Sequence, residues 1–296
     1  MVWRSVIITN PVSLKLKDKQ LQVVKDKEVS TIPVEDLAII LIDSYTNIST
    51  SLLSFLAENY VVVVVCDKKH NPSSILLPFL QHYRFTDILK LQMECSLPLQ
   101  KRLWQKIVEQ KIINQAKVLS LYKKEEALKL LNFSKKVLSG DTSNMEGQAA
   151  RMYWKNFFAR DFKRKKENFC NFALNYGYTI LRSACLRGIV ARGLFPALGI
   201  HHNNKLNQFP LADDIIEPFR PVVDKYVYNL VKEKDVENQE LETSDKGYLL
   251  NVVNEQVKFE GEQMTILRAV EALSSSLIDA MKNQDIKLLK LPEMII

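Results

Sequence analysis

The chain has 296 residues, enough for two domains, and its 47% hydrophobic content is enough to bury sizeable cores. Lys and Arg outnumber Asp and Glu by 41 to 34, a net charge of +7 that favours a polyanionic partner without specifying one. The longest apolar run, 60–66, is far short of the roughly 20 residues of a membrane span, MVWRSVIITN lacks a signal-peptide pattern, and the four cysteines form no CxxC pair; a soluble cytoplasmic protein with no membrane partner is expected.

From residue 7 to about 77 the apolar pattern is that of strands. Leu14, Leu16, Leu21 and Val23 alternate with Lys15, Lys17 and Gln22 about a polar turn at Asp18 and Lys19, which predicts a hairpin. The continuous apolar runs 38–42 and 61–65 predict strands buried on both faces. Between them, 49–59 reads as a short helix with Leu52, Leu53, Leu56 and Ala57 on one side.

After Pro78 the period changes to three and four. Leu103, Trp104, Ile107, Val108, Ile112, Ala116 and Leu119 predict a long amphipathic helix opened at Pro98. The fold expected is therefore α+β: a small β-rich N-terminal domain over residues 1–78, then a larger all-helical C-terminal domain over 79–296 that contains the site.

In SGDTSNMEGQAARMYW, Ser143 and Glu146 have the spacing of a capping box, in which Glu146 reaches back to a backbone N–H. Glu146 also shares a helical face with Ala150, Tyr153 and Phe157, and a carboxylate turned inward needs a partner. Both readings stand at this point. The following run Arg160, Lys163, Arg164, Lys165 and Lys166, interleaved with Phe158 and Phe162, fits a solvated helix end as well as a phosphate-binding surface.

A helix over about 171–191 carries Ala173, Gly177, Ala184, Gly188 and Ala191 near one face. Glycine inside a helix costs about 1 kcal/mol relative to alanine, so the pattern predicts close approach of another backbone. Gly193 is the expected stop.

The segment GIHHNNKLNQFPLADDIIEPFRPVVD then places His201 and His202 ahead of Asp213, Asp214 and Glu217. Asp214 and Glu217 are i,i+3 and Asp213 and Glu217 i,i+4, so either pair can face one side of a helical turn. Facing carboxylates demand a cation, and oxygen ligands with an imidazole suit magnesium or manganese. A solvated acidic helix start is the plainer alternative. Pro218 and Pro221 predict a rigid, non-helical EPFRP segment. Residues 232–246 read as an exposed charged loop. Met264, Leu267, Val270, Leu273, Leu277 and Met281 mark a last helix, and the tail KLLKLPEMII is expected to dock on a partner or on its own core. No Walker loop, GxGxxG or GxSxG element is present.

Taken together, MEGQAARMYW, the element Asn175-Tyr176-Gly177-Tyr178, GLFPALGIHH and LADDIIEPFRPVVD resemble the CRISPR-associated endonuclease and integrase that inserts new spacers, in the branch that accompanies type II systems. The resemblance implies that Glu146, His202 and Glu217 are the catalytic, metal-binding residues for Mg²⁺ or Mn²⁺, with His201 as the alternative imidazole and Asp214 as an additional ligand. It implies a homodimer acting on double-stranded DNA, both spacer precursor and repeat, with a small ferredoxin-like CRISPR companion nuclease subunit and further type II acquisition proteins. The chemistry expected is attack of a DNA 3′-hydroxyl on a phosphodiester, with Arg160, Lys163, Arg164 and Arg220 offsetting phosphate charge. The competing reading is a noncatalytic DNA-binding scaffold with a structural acidic cluster, whose DNA binding would be indifferent to chelators.

Overall fold

The computed structural model describes residues 4–68, 72–79, 81–158, 162–164, 166–233 and 240–296. The strand patterns at the start of the chain become β1 (Arg4–Ile8), β2 (Val12–Lys17), β3 (Gln20–Lys25), β4 (Glu28–Pro33), β5 (Leu37–Ile42) and β6 (Thr46–Ile48). The helix α1 (Thr50–Glu58) follows, then β7 (Val62–Cys66) and β8 (Pro72–Leu76). Asp18 and Lys19 both take positive φ, 50° and 59°, the left-handed pair that a two-residue hairpin between β2 and β3 requires. Ser49 caps α1 by accepting from the Leu52 N–H.

Two four-stranded sheets result, in the orders β1-β5-β7-β8 and β4-β3-β2-β6. Every residue of β5 is buried, as its continuous apolar run requires. Leu37, Ile40, Ile42, Val61 and Val63 pack with Leu14, Leu21, Leu52 and Leu56. Ala38, Ile39, Leu41, Val62 and Val64 instead belong to the helical core. The first sheet is thus covered on both faces.

The helical region comprises α2 (Phe85–Met93), α3 (Leu97–Ser120), α4 (Lys124–Ser134), α5 (Met145–Phe157), α6 (Phe169–Ala191), α7 (Pro210–Ile215), α8 (Arg220–Glu233), α9 (Thr243–Leu250), the hairpin β9 (Gln256–Phe259) and β10 (Glu262–Thr265), α10 (Ile266–Asn283) and β11 (Glu293–Met294). The expected order, a β-rich N-terminal region and then a larger helical one, is present. A small sheet of order β10-β9-β11, unmarked by any long alternating run, is set into the helices.

One expectation is corrected here, and one open alternative is decided. The 232–246 stretch is not loop throughout: α9 begins at Thr243 under a reciprocal cap between Glu242 and Asp245. It buries Lys246, whose Nζ lies 2.6 Å from Asp43 Oδ2. The charge that marked this segment as exposed is drawn inward by an opposite one. The tail docks on its own chain, β11 pairing antiparallel with β9.

Helix α6 lies centrally against β5, β7, α8, α9 and α10. Its glycines sit where neighbours come closest: a Cβ at Gly177 would lie 2.6 Å from Val223 Cγ1, and one at Gly188 would lie 2.6 Å from Val270 Cγ1 and 3.3 Å from the Glu271 backbone N. Alanine gains helix propensity at either position, but at Gly188 backbone blocks relaxation and overpacking dominates. Gly188→Ala should therefore lower stability by about 1–3 kcal/mol in denaturant unfolding; an unchanged or raised midpoint would contradict this packing.

Candidate active site

Helix α3 is the base of the site. Trp104, Lys111 and Asn114 all lie on its buried side, seven and then three residues apart and so near one face. Around it gather the amino end of α5, the loop before α7 and the turn between α7 and α8.

Glu146 occupies the first turn of α5. The Asp141 carboxylate accepts from the backbone N–H groups of Met145 and Glu146, and Asn144, in the left-handed region at φ 51°, accepts from Gly147 N–H. The orphan donors of this helix end are therefore met by Asp141 and Asn144. The Ser143–Glu146 capping box is not formed, and the Glu146 side chain is released for another partner. That partner is Lys111, whose Nζ lies 2.5 Å from Glu146 Oε1.

Glu217 reaches the same ammonium from a different segment, with Oε2 2.6 Å from Lys111 Nζ. The segment around it is helical, which corrects the expectation for EPFRP. A 3-10 turn, Glu217–Phe219, leads directly into α8, and Arg220 has α-helical angles of φ −49° and ψ −41°. Each proline stands in a first turn, where its missing N–H is no loss. Arg220 Nε donates to Glu217 Oε1 at 2.8 Å while its guanidinium lies 4.7 Å from the centre of the Tyr178 ring. The Tyr178 hydroxyl in turn donates to the buried Asp224. Burial pushes the Glu217 carboxyl up, but Arg220 and then Lys111 outweigh it and hold it at about 2. Burial lowers the Lys111 ammonium, and Glu217 and Glu146 raise it further, leaving it above its ordinary value.

Asp214 is fully buried and organises the histidine loop. Its Oδ2 accepts from Ile200 N–H at 2.5 Å and His201 N–H at 3.1 Å, and its Oδ1 accepts from His202 N–H at 3.2 Å and lies 2.7 Å from His202 Nδ1. Gly199 is required here, since a Cβ would sit 2.4 Å from the His202 carbonyl oxygen. His201 stacks flat on Trp104, with centroids 4.3 Å apart and planes 3° apart, while His202 meets the same indole edge-on at 5.5 Å. With Nδ1 directed at Asp214, Nε2 is the free position of His202. Asp213 is engaged elsewhere, by Arg182 Nε at 2.8 Å.

The structure thus brings Glu146 and Glu217 to one cation and places His202 on Asp214, with Glu217 and Asp213 among the charges acting on its ring. Among the described residues no three His, Cys, Asp or Glu side chains form a ready metal cluster. The donor chemistry nonetheless fits a divalent ion: two carboxylates from separate segments converge on one positive charge. Of the expected DNA contacts, Lys163 is exposed. Arg164 is held by Asn171 at 2.5 Å and Asn175 at 2.9 Å and lies over the Trp154 and Tyr178 rings. Arg220 is committed to Glu217, and Arg160 falls outside the described residues. Sequence reasoning missed Lys111 altogether. Its signal was a lysine inside the apolar stripe of α3, between Ile107, Val108 and Ile112.

The sequence profile of the family described as CRISPR associated protein Cas1 matches residues 6–257. A CRISPR-associated endonuclease Cas1 from Neisseria meningitidis serogroup C (strain 8013) is 40% identical over 297 residues, covering 100% of this chain and 97% of that protein. A second, from Saccharolobus solfataricus, is 28% identical over 96% of this chain and 98% of its own length. Among solved structures, a casposase bound to its integration product superposes with a TM-score of 0.76 at 20% identity, covering 96% of this chain and 93% of that one. The Cas1 protein of Thermotoga maritima gives 0.75 at 19% identity over 94% and 96% of the two chains.

The Asp214 hydrogen bond raises the His202 imidazolium above its ordinary 6.5, against the opposing effect of burial. A raised folded-state value means that this pair contributes stability fully below about 6.5 and loses it as pH rises through the folded value. An NMR titration should put His202 above 6.5, and Asp214→Asn should bring it down, because burial remains when the carboxylate is gone. A His202 midpoint at or below 6.5 in the unsubstituted protein would contradict the geometry.

Proposed function

We propose, for a chain that belongs to the Cas1 family of CRISPR-associated proteins, that it is a metal-dependent DNA endonuclease and integrase that inserts new spacer DNA into a repeat array. The observation that carries this reading is the meeting of Glu146 and Glu217, from separate segments, on a single cation. Glu146, Glu217 and the Nε2 of His202 would hold the metal. A bound Mg²⁺ or Mn²⁺ would supply Lewis-acid polarisation of the scissile phosphodiester.

The chain's own residues set the stage for that chemistry. Arg220 and Lys111 keep Glu217 ionised despite its burial. Asp214 engages Nδ1 of His202, which leaves Nε2 as the nitrogen available to a ligand. His201 is spent on Trp104, which favours His202 as the ligand. The attacking group is a DNA 3′-hydroxyl, and water in its place makes the same site a nuclease. Residues of the basic run, with Lys163 exposed among them, offset phosphate charge on double-stranded DNA. We further propose a homodimer of the type II branch that works with a small ferredoxin-like companion subunit and further acquisition proteins. Support for such a companion comes from the likeness of fold, at a TM-score of 0.78 and 20% identity, to a chain of a solved Cas6-RT-Cas1–Cas2 complex.

The test is transfer of a short duplex into a repeat-bearing plasmid, with and without divalent metal. Glu146→Ala should reduce transfer by at least about 100-fold, the scale of losing a group that acts on the transition state, while DNA affinity stays within a few-fold. His202→Ala should behave likewise and His201→Ala should retain most activity. Full transfer by Glu146→Ala, or transfer indifferent to a chelator, would return the cluster to a structural role.

Replacing Lys163 and Lys166 together by alanine should weaken DNA binding and flatten its salt dependence by about one unit of slope per lost phosphate contact. Unchanged affinity and slope would mark this run as solvated surface only.

A further inference from the structure

We propose that Lys111 is a positioning residue, the site's built-in counter-cation: its ammonium balances Glu146 and Glu217 when no divalent ion is present, and so makes metal binding depend on DNA. The inference rests on the metal-site reading above and extends it to how the site is loaded.

Four charged groups meet here in contact. Glu146 and Glu217 each carry one negative charge, and Lys111 and Arg220 each carry one positive charge, with Nζ 2.5 and 2.6 Å from the two carboxylates and Arg220 Nε at 2.8 Å. The cluster is neutral as it stands. Its carboxylates therefore lack the unmet negative charge that would draw in a cation from water. Counted over these four groups, a divalent ion entering alone would leave an excess of two positive charges, only partly offset by the Asp214 carboxylate behind His202, where Lys111 is 8% exposed and Glu217 4%, and uncompensated charge in such a place is costly. A phosphodiester arriving with the ion supplies negative charge to offset that excess.

Lys111 has little freedom to withdraw. It stands on the buried side of α3, with Ile107, Val108 and Ile112 fully buried around it. Its ammonium therefore stays close when an ion enters and repels it. Coupling of this kind is reciprocal: whatever DNA does for metal affinity, metal does for DNA affinity. A lysine that only braced α3 against α5 would affect stability but leave metal affinity alone.

The test measures Mn²⁺ binding by calorimetry on the full chain, with and without a short DNA duplex, for the unsubstituted protein, Lys111→Met and Glu217→Gln. Without DNA, Lys111→Met should bind Mn²⁺ at least tenfold more tightly than the unsubstituted protein. DNA should strengthen Mn²⁺ binding to the unsubstituted protein and do so much less for Lys111→Met. Lys111→Gln, which keeps a hydrogen-bonding group without the charge, replaces the methionine variant if that one does not fold. Equal Mn²⁺ affinity in the lysine variant and the unsubstituted protein, with binding lost in Glu217→Gln, would overturn the counter-cation role and leave the metal site standing. Mn²⁺ binding that is the same in all three proteins would overturn the metal site, and this inference with it.

Discussion

Two carboxylates cannot share a poorly solvated space without a positive charge between them, and the site is arranged around that constraint. Glu146 arrives from the start of α5 and Glu217 from the turn before α8. Neither could approach the other unless α3 presented Lys111 between them. The electrostatic requirement explains why the amino end of α5 is capped by Asp141 and Asn144 and not by Glu146, whose charge is needed elsewhere. It also explains why Arg220 turns back onto Glu217: a carboxylate this deeply buried has one positive partner for each oxygen.

The helices that carry these groups owe their closeness to small side chains. Gly177 admits Val223 of α8, and Gly188 admits Val270 of α10, so α6 can lie centrally without pushing its neighbours outward. Arg182, on the same helix, reaches out to Asp213 and helps fix the start of α7. Packing and electrostatics are thus joined: α6 sets the position of α7 and α8, which carry Asp214 and Arg220.

Much of this was legible in the sequence because it followed from short-range rules. The Asp18–Lys19 turn, the two-sided burial of β5 and the glycine face of α6 each depend on residues whose period or backbone freedom can be read locally. What could not be read depended on distant partners. Lys246 looked solvated until Asp43, some two hundred positions away, paired with it. Pro218 and Pro221 argued for an extended segment because pre-proline sterics are local, but each falls in the first turn of a helical element and is tolerated there. In the site itself, Glu146 and Glu217 were readable as carboxylates needing a cation, while the cation was not. A single lysine in an apolar stripe is easily taken for a flaw in the pattern.

The fully buried Asn114 gives the chain an order in time. Its amide donates to the Pro218 carbonyl at 2.7 Å and to the Pro292 carbonyl at 3.0 Å, and its oxygen accepts from Met294 N–H at 3.1 Å. One side chain, a single helical turn beyond Lys111, thus ties the turn that bears Glu217 to residues about 180 positions beyond Asn114 itself. Synthesis proceeds from the amino end and folding follows it, so α3 leaves the ribosome long before its last buried partners exist. A nascent chain can form the β-rich region and much of the helical core, yet the surroundings of the carboxylate pair stay incomplete until 292–294 have been added. The site is closed only once residues 292–294 are in place, and a chain interrupted before that point carries the acidic residues without their full support.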